Sequence, residues 1–384
     1  MKVVNIQLEG RYAGPHKQML DLAVEIQKIG VETVLFFPFQ DSDAFVHVIS
    51  KTDVAFVQLK TNRLARSPID FIKFFLTFNA DIKKIMRALL EVKPDIVQCN
   101  GSWQIKGVIA ARRLSIPIIW HMTDTKMPKL IRKIFNKVKN YAHVNHFIAA
   151  SNRGMNYYQD KTNPQEVMSV IQSPVDTELF DTNTTKVEKF WSSHQDHFKV
   201  ITVANISPVK GLERLVEVAR LIQLENSLNI QFVVVGRIWE SQRAYHGKIV
   251  ETINKQNIKN VTIIPGASNV SEWLKGADIY FCSSHSESSP IAVWEAMSMS
   301  LPVVATNVGD LVELVKQEDA GFVHELDEID ALVDSIIKLK NDSELLTNLK
   351  INARQAALKH FSLTNVAEQH KRAYQNLLDD EHIA

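Results

Sequence analysis

The chain has 384 residues, and its 45% hydrophobic and 23% charged residues are typical of a folded protein with room for two domains. The 44 Lys and Arg nearly balance the 43 Asp and Glu, and a net charge of +1 argues against a general nucleic-acid binder. The two cysteines, Cys99 and Cys282, are too few for a disulfide framework or a four-cysteine zinc site.

The sequence also lacks the signals of membrane insertion and export. No apolar run approaches the roughly 18 residues that a membrane-spanning helix needs. The N-terminus enters a strand-like run at once, without the apolar segment and cleavage site of a signal peptide. These features predict a cytoplasmic protein in a reducing compartment.

The first half of the chain alternates short apolar strands with helical segments. Residues 3–8 predict a strand, a Gly-containing loop follows, and apolar residues at helical spacing predict a helix that Gly30 ends. Further strand-like runs occupy residues 33–37, 95–99, 117–120 and 146–150. Continuous apolar strands separated by helices indicate a parallel sheet that is covered on both faces.

A polar stretch at residues 181–197 interrupts this alternation and is predicted to be a linker. The alternation then restarts with strand-like runs at 199–204, 231–235, 261–264, 278–282 and 302–305, and from about Asp327 the chain is expected to be helical. We therefore expect an α/β protein of two doubly wound Rossmann-like domains, 1–180 and 198–361, with a C-terminal helix over 362–384. Ligands bind at the carboxyl ends of such strands, so a cleft between the domains is the expected site.

The segment from Cys282 to Met297 is the most informative for chemistry. A strand ends there, a polar loop follows, and a helix is expected to begin with Ser289 at a capping position and Pro290 in its first turn. The free backbone amides of a helix start can hold an anion such as a phosphate. Glu287 precedes the helix and Glu295 lies inside it, so the two carboxylates can contact opposite ends of one extended ligand.

This segment resembles the E-x7-E motif of retaining glycosyltransferases with the GT-B fold, in particular glycosyltransferase family 4. Residues 203–211 resemble the phosphate-binding stretch of that family, and residues 266–270 resemble its loop over the nucleotide base. The resemblance covers most of the chain, because recurrent family segments are also matched at residues 93–97, 116–121, 301–309 and 361–362.

The resemblance implies that the C-terminal domain binds a nucleotide sugar and that the N-terminal domain binds the acceptor. Lys210 would then pair with the diphosphate, Glu295 would bind the ribose, and Glu287 would bind the donor sugar. His121, at the end of a first-domain strand, would face the donor sugar, and Gly14 would allow close backbone approach. By the same resemblance the donor site would also include Asn205, Val270, Ser288 and Ser289.

Two departures from the family pattern bear on these contacts. Asn205 stands where the family usually has Arg, which removes one positive charge near the diphosphate. Residues 288–290, Ser-Ser-Pro, replace the Gly-rich loop after the first Glu, and Pro290 has no backbone amide to donate.

The implied reaction is transfer of a hexose from a UDP- or GDP-sugar to a glycan or lipid-linked acceptor, with retention at the anomeric carbon. The implied setting is the assembly of a bacterial surface polysaccharide. Because Lys210 and the helix dipole can neutralise the leaving group, we expect no metal and no other cofactor. A GT-B epimerase or phosphorylase, or a non-catalytic two-domain sugar-binding protein, remains the alternative.

Two further segments, one basic and amphipathic and one rich in Phe, lie outside the motifs described above. Residues 126–142 carry six Lys or Arg and no acidic residue, which is typical of a solvated helix face or of peripheral contact with an anionic membrane. The Phe-rich run at residues 71–78 is predicted to pack in the core with an exposed edge. Residues 1–180 contain 24 Lys and Arg against 16 Asp and Glu, so the predicted acceptor domain is basic.

Overall fold

The computed structural model describes residues 1–12, 14–62, 68–123, 127, 129–144, 146–160, 163, 165–225, 229–267 and 269–383. It divides into two compact units, which we call the N-terminal unit (Met1–Pro174 with Leu363–Ala384) and the C-terminal unit (Val175–Ser362). Each unit contains one parallel sheet with helices on both faces, which confirms the prediction of two doubly wound α/β domains.

The sheet of the N-terminal unit has seven parallel strands in the order β3-β2-β1-β4-β5-β6-β7. The strand order reverses beside β1, which is hydrogen bonded to both β2 and β4, and ligands bind near such a point in open α/β sheets. The strands are β1 (Lys2–Ile6), β2 (Glu32–Pro38), β3 (Ala55–Leu59), β4 (Ile96–Asn100), β5 (Ile118–Met122), β6 (His146–Ala149) and β7 (Val167–Val170).

Successive residues of these strands point to opposite faces, and each face has its own apolar core. Val4 and Val97 pack with α4, α5 and α6, whereas Val3 and Ile96 pack with α1. The helices of this unit are α1 (Gly14–Lys28), α2 (Asp43–Ile49), α3 (Pro68–Leu76), α4 (Phe78–Val92), α5 (Ile105–Arg113), α6 (Lys129–Ala142) and α7 (Asn152–Tyr158).

The sheet of the C-terminal unit has six parallel strands in the order β10-β9-β8-β11-β12-β13. The strands are β8 (Phe198–Val203), β9 (Ile230–Gly236), β10 (Val261–Pro265), β11 (Ile279–Cys282), β12 (Val303–Thr306) and β13 (Gly321–His324). The helices are α8 (Leu212–Leu224), α9 (Arg243–Lys255), α10 (Val270–Lys275), α11 (Ile291–Ser298), α12 (Ile329–Asn341) and α13 (Ser343–His360). Three 3₁₀ turns (Lys189–His194, Pro208–Lys210 and Glu240–Gln242) and a π-helical segment (Val312–Lys316) complete the unit.

The predicted linker at residues 181–197 is part of the C-terminal unit instead. Trp191 is buried, and its indole N–H donates a hydrogen bond to the carbonyl oxygen of Trp273 at 3.0 Å. Gly276 allows this fit, because a Cβ at that position would lie 1.9 Å from the indole ring. Asp181 also pairs with Arg354 at 2.8 Å, and the Lys275 ammonium donates to the carbonyl oxygen of Thr182 at 2.6 Å. These tertiary contacts outweigh the polar composition of the stretch.

The last helix, α14 (Leu363–Ile383), belongs to the N-terminal unit, in agreement with the expected helical C-terminus. Val366, Tyr374 and Leu377 pack against α1 and against the sheet face formed by Val3 and Ile96. Among the helices that the structure describes, none is both long and apolar enough to cross a bilayer.

Candidate functional site

Two loops meet at the carboxyl ends of the neighbouring strands β8 and β11. The Lys210 ammonium donates a hydrogen bond to Glu287 Oε1 at 2.6 Å. The Ser283 hydroxyl donates to the carbonyl oxygen of Lys210 at 3.0 Å, and the His285 amide donates to the carbonyl oxygen of Val209 at 2.8 Å. The structure therefore brings together two predicted catalytic residues that lie 77 positions apart.

Gly211 is the reason that these two loops can lie so close to one another. Its φ of +60° is in the left-handed region, and a Cβ there would lie 2.1 Å from the carbonyl oxygen of Ser283. Arg214 on α8 reinforces the contact, because its Nη1 donates to the same Ser283 oxygen at 2.6 Å. The Lys-Gly pair in the sequence thus has two separate functions, a charge at Lys210 and a close backbone approach at Gly211.

Glu287 is a partly buried carboxylate with two donors on one oxygen. Besides the Lys210 contact, Oε1 accepts a hydrogen bond from the Ser284 hydroxyl at 2.7 Å. Oε2 of the same carboxylate is a further acceptor, suited to a ligand hydroxyl. An anionic group near Lys210 would compete with Glu287 for the ammonium.

Helix α11 begins one residue later than predicted. Pro290 occupies the N-cap position, and the Ser289 hydroxyl accepts a hydrogen bond from the Trp294 indole at 3.0 Å. The first backbone amides of a helix have no acceptor inside it, so they remain suited to an anion. The Ser288 hydroxyl is buried and has no hydrogen-bond partner within the described chain, which leaves it available to a ligand.

Tyr280, in β11, is buried within electrostatic range of both Glu287 and Glu295. Burial raises the pKa of the Tyr280 phenol well above its ordinary value, and the charges of both carboxylates raise it further. The phenol stays protonated and donates to the carbonyl oxygen of Val203 at 3.0 Å. Glu295 itself is half-buried on α11.

Asn205 and Arg237 follow the adjacent strands β8 and β9. The Ile206 amide donates to the carbonyl oxygen of Arg237 at 3.0 Å, which ties the two loops together. The exposed Arg237 guanidinium lies over the Trp239 ring at 4.9 Å from its centroid. No carboxylate in the described part of the chain forms an ion pair with it, in contrast to Lys210.

Arg237 is a residue that the sequence analysis missed. Arg237 directly follows Gly236, the last residue of the buried strand β9. That position could have identified it from the sequence, because residues after a parallel strand lie at the ligand-binding edge of the sheet. Val270, the first residue of α10, follows the next strand, β10, and is half-buried against Trp273 and its neighbours. Ser268, in the same predicted loop, lies outside the described residues.

In the N-terminal unit, His121 is the last residue but one of strand β5, and its two ring nitrogens have different surroundings. Its Nδ1 lies 3.1 Å from Asn100 Oδ1 and 3.5 Å from Gln98 Nε2. The shorter contact is to an amide oxygen, which only accepts, so we assign the proton to Nδ1. Nε2 is buried and has no partner within the described chain. Burial lowers the pKa of His121 to about 4, so the ring is neutral at pH 7 and Nε2 is an acceptor.

The predicted role of Gly14 depends on space that the structure leaves open. Gly14 begins α1, and a Cβ built on it would meet no atom within 4 Å. Among the described residues, therefore, no steric contact requires glycine at this position. A requirement for glycine here would have to come from a ligand that lies too close to the start of α1 for a Cβ atom.

The basic segment forms α6, but its cations do not all face solvent. Arg132, Lys133 and Lys137 are exposed, whereas Lys139 is buried and its ammonium pairs with Glu166 at 2.6 Å. Lys126 lies outside the described residues, and the side chain of Lys129 is not among those described. The structure thus reduces the basic face to three described cations.

Acidic side chains do not form an evident metal site in the described chain. Asp41-Ser42-Asp43 has the spacing of an Asp-x-Asp motif and lies at the start of α2. In the described residues, no group of three or more His, Cys, Asp or Glu side chains is arranged to hold a metal ion.

Comparisons with known proteins match both halves of the chain. Residues 12–179 match the family model Glycosyltransferase Family 4, and residues 183–356 match Glycosyl transferases group 1. A UDP-Gal:alpha-D-GlcNAc-diphosphoundecaprenol alpha-1,3-galactosyltransferase of Escherichia coli is 24% identical over 387 residues, which cover 94% of this chain and 95% of that protein.

Solved structures show the same fold at lower identity. HepE of Anabaena in complex with UDP superposes with a TM-score of 0.81 and 18% identity, covering 98% of this chain and 100% of that one. WaaG, a glycosyltransferase involved in lipopolysaccharide biosynthesis, gives a TM-score of 0.65 with 15% identity, covering 97% of this chain and 98% of that one. With its two matched domains and this fold, the chain belongs to the GT-B glycosyltransferases that combine a family 4 domain with a group 1 domain.

Proposed function

We propose that this protein transfers a hexose from a UDP-sugar to a glycan or lipid-linked acceptor, with retention at the anomeric carbon, during bacterial surface polysaccharide assembly. The observation that carries the proposal is the Lys210–Glu287 pair beside the start of α11, in a chain of this family. The names of two similar proteins, one acting with UDP-Gal and one solved with UDP, favour uridine over guanosine.

The diphosphate of the donor is proposed to bind between Lys210 and the first amides of α11. Negative charge grows on the leaving phosphate as the bond to the anomeric carbon breaks, and fixed positive charge stabilises it. Lys210 then exchanges part of its contact with Glu287 for the phosphate. Glu287 is thereby free to accept hydrogen bonds from hydroxyls of the donor sugar.

Other residues of the C-terminal unit are proposed to hold the nucleoside. Glu295 accepts hydrogen bonds from the ribose hydroxyls, and Val270 contacts the base. Ser288 offers its unpartnered hydroxyl to the donor. Arg237 supplies a second positive charge near the diphosphate, beside Asn205, which has none.

The transfer step itself is proposed to need no metal and no enzyme nucleophile. The acceptor oxygen bonds to the anomeric carbon on the face from which the nucleoside diphosphate departs, and the acceptor proton passes to the leaving phosphate oxygen. In the N-terminal unit, His121 contributes a neutral imidazole acceptor for a hydroxyl, and Gly14 gives room for the donor. The exposed cations of α6 are proposed to contact an anionic membrane, where a lipid-linked acceptor resides.

The test is the release of nucleoside diphosphate from a panel of UDP- and GDP-sugars, with the anomeric configuration of the product read by NMR. We expect turnover with a UDP-sugar and retention. Donor binding without turnover across plausible acceptors would instead favour a sugar-binding protein, and conversion of the donor sugar without acceptor would favour an epimerase. Phosphate-dependent release of a sugar phosphate would favour a phosphorylase.

Replacing Lys210 tests the site assignment directly. Lys210→Ala should slow transfer by about 10²–10³-fold, the usual effect of removing one group that stabilises transition-state charge. Lys255→Ala is the matched control, because Lys255 is an exposed lysine of the same unit that pairs with Glu251. Equal rates for both variants would show that Lys210 does not contact the leaving group.

A further inference from the structure

Helix α3 exposes an apolar face that the proposed chemistry does not use. Ile72, Phe75 and Leu76 are 58%, 53% and 81% exposed, and their i, i+3, i+4 spacing places them on one side of the helix. We call these three side chains the α3 face. The sequence predicted that this Phe-rich run packs in the core with an exposed edge, and in the structure Phe74 is buried while the α3 face is exposed.

The inner side of α3 is held firmly, so the exposure of its outer side is not fraying. The Lys106 ammonium lies 3.9 Å from the Phe74 ring centroid and donates to Asp81 Oδ2 at 2.8 Å. The same Asp81 oxygen accepts from the Thr77 hydroxyl at 2.9 Å, at the junction of α3 and α4. Asp81 is fully buried, and a buried carboxylate with these partners fixes the junction.

The helices that share this side of the sheet are strongly basic on their outer surfaces. α4, α5 and α6 contribute to one apolar core over the sheet. α5 is buried from Ile105 to Ala111, whereas α4 and α6 each have an exposed outer face. Among the described side chains of α4 and α6, the exposed carboxylate is Glu91, against six exposed cations: Lys83, Lys84, Arg87, Arg132, Lys133 and Lys137.

We infer that the α3 face inserts into the interface of an anionic membrane, with the cations of α4 and α6 contacting the lipid headgroups. Helices of this kind bury their apolar side chains at the boundary between headgroups and acyl chains, and basic residues add electrostatic attraction. A second copy of the chain is a poorer occupant. A two-fold interface sets each patch against itself, which would bring the same cations together.

The position of α3 relates this contact to the acceptor. Phe74 and Lys106 line a pocket together with Gln7, Trp103 and Gln104, residues that follow strands β1 and β4. This pocket therefore lies at the ligand-binding edge of the N-terminal sheet. Insertion of α3 brings that edge of the N-terminal sheet to the lipid headgroups. This relation between α3 and the acceptor rests on the proposed function, in which the acceptor is linked to lipid.

Vesicle co-sedimentation tests the surface. The probes are vesicles of phosphatidylglycerol and phosphatidylethanolamine, with pure phosphatidylcholine for comparison. Wild-type protein should bind the anionic vesicles, and Ile72→Ser/Phe75→Ser/Leu76→Ser should lose at least about tenfold in partitioning. The matched control, Leu224→Ser/Ile351→Ser/Leu358→Ser, replaces three exposed apolar side chains of the C-terminal unit and should bind as wild type does.

A second measurement keeps the test independent of variant folding. Leu76→Cys, labelled with an environment-sensitive fluorophore, should show a blue shift on anionic vesicles, whereas labelled Ile351→Cys should not. The native cysteines Cys99 and Cys282 are buried and should label poorly. A UDP thermal shift, measured on every variant, reports separately whether the donor site is intact.

Three results would overturn the inference. They are equal vesicle binding by the α3 variant and wild type, an unchanged fluorophore spectrum on vesicles, and a wild-type dimer in solution that the α3 substitutions convert to monomer. Vesicle binding by a protein that turns over no donor would contradict the proposed function and leave the membrane surface supported.

Discussion

Lys210 and Arg237 present two different kinds of positive charge at one edge of the C-terminal sheet. Lys210 is already paired with Glu287 at 2.6 Å, whereas Arg237 lies over an indole ring with no carboxylate partner in the described chain. A guanidinium that stacks on an aromatic ring keeps all its N–H donors available, and its fork geometry suits a phosphate. Arg237 is therefore the candidate to supply the positive charge that an arginine would provide at position 205.

Arg237→Ala should weaken UDP binding by about tenfold, the loss expected for a charge-assisted hydrogen bond to phosphate. Adding Asn205→Arg in that background should restore much of the affinity, because the two positions follow adjacent strands. Isothermal titration with UDP measures both effects. Arg243→Ala, an exposed arginine paired with Glu240, is the control. Unchanged affinity in Arg237→Ala would remove Arg237 from the site.

Two buried histidines of the N-terminal unit make its stability depend on pH. Burial lowers the pKa of His121 to about 4, and burial together with the charge of His121 lowers the pKa of His370 to about 3. Their rings lie 5.8 Å apart, between the end of β5 and α14. The unfolded chain takes up a proton at each near pH 6.5 and the folded chain does not, so stability falls as pH drops from about 6.5 toward 4.

His370→Gln should reduce this acid sensitivity. Between pH 7.5 and pH 5, each such histidine costs about 2 kcal/mol of folding free energy, and the variant loses one of the two contributions. The measurement is the difference between the thermal midpoints at the two pH values, so that a constant effect of the substitution cancels. An equal difference in variant and wild type would show that His370 is not the titrating group.

At the element scale, the site depends on a single backbone conformation between β8 and α8. Gly211 has φ +60°, and its neighbour across the gap is the backbone oxygen of Ser283, which cannot rotate away as a side chain can. The loop after β11, with Glu287, is held by this approach and by the Arg214 hydrogen bond to the same oxygen. The geometry of two strand ends thus sets the distance between Lys210 and Glu287.

Gly211→Ala should lower the free energy of unfolding by about 1–3 kcal/mol and weaken UDP binding more than the loss of stability explains. Gly247→Ala is the matched control: Gly247 lies in α9, and a Cβ there meets no atom within 4 Å. That control should be neutral or stabilising by about 0.5–1 kcal/mol. Denaturant unfolding and UDP titration measure the pair, and equal behaviour of the two variants would refute the close-approach argument.

At the scale of the whole molecule, charge is divided between the two halves of the chain. Residues 1–180 contain 24 Lys and Arg against 16 Asp and Glu, and residues 181–384 contain 20 against 27. The basic excess accords with exposed cations on α4 and α6 and with an anionic partner for the N-terminal unit. The proposed donor residues, by contrast, lie mainly in the acidic half, with Lys210 and Arg237 as the cations proposed to contact the diphosphate.

The proposed binding of the nucleotide to the C-terminal unit predicts where UDP slows hydrogen exchange. Hydrogen exchange with and without UDP should show added protection at the carboxyl ends of β8 and β11 and at the start of α11. The outer helices α3, α4 and α6 should exchange unchanged, because no proposed nucleotide contact lies there. Protection confined to those helices would contradict the assignment of the nucleotide to the C-terminal unit.

The α/β fold and the family could both be predicted from the amino-acid sequence. Continuous apolar strands alternating with amphipathic helices are local patterns, and the segment from Cys282 to Met297 is contiguous, so both can be read without knowing any long-range contact. It missed the edge strands β3, β7 and β13, which are largely half-exposed and form no continuous apolar run. It also predicted a linker at 181–197, where the burial of Trp191 and the Asp181–Arg354 ion pair place the stretch inside the C-terminal unit.

Which charges are paired and which helix faces are exposed could not be predicted from the sequence and depends on tertiary contacts. The Lys210–Glu287 contact joins loops 77 residues apart, whereas Arg237 lies over Trp239 and forms no ion pair with a carboxylate of the described residues. The outward position of Ile72, Phe75 and Leu76 depends on the buried Lys106–Asp81 pair, whose members are 25 residues apart. Such contacts form between distant segments brought together by folding, and local composition carries no record of them.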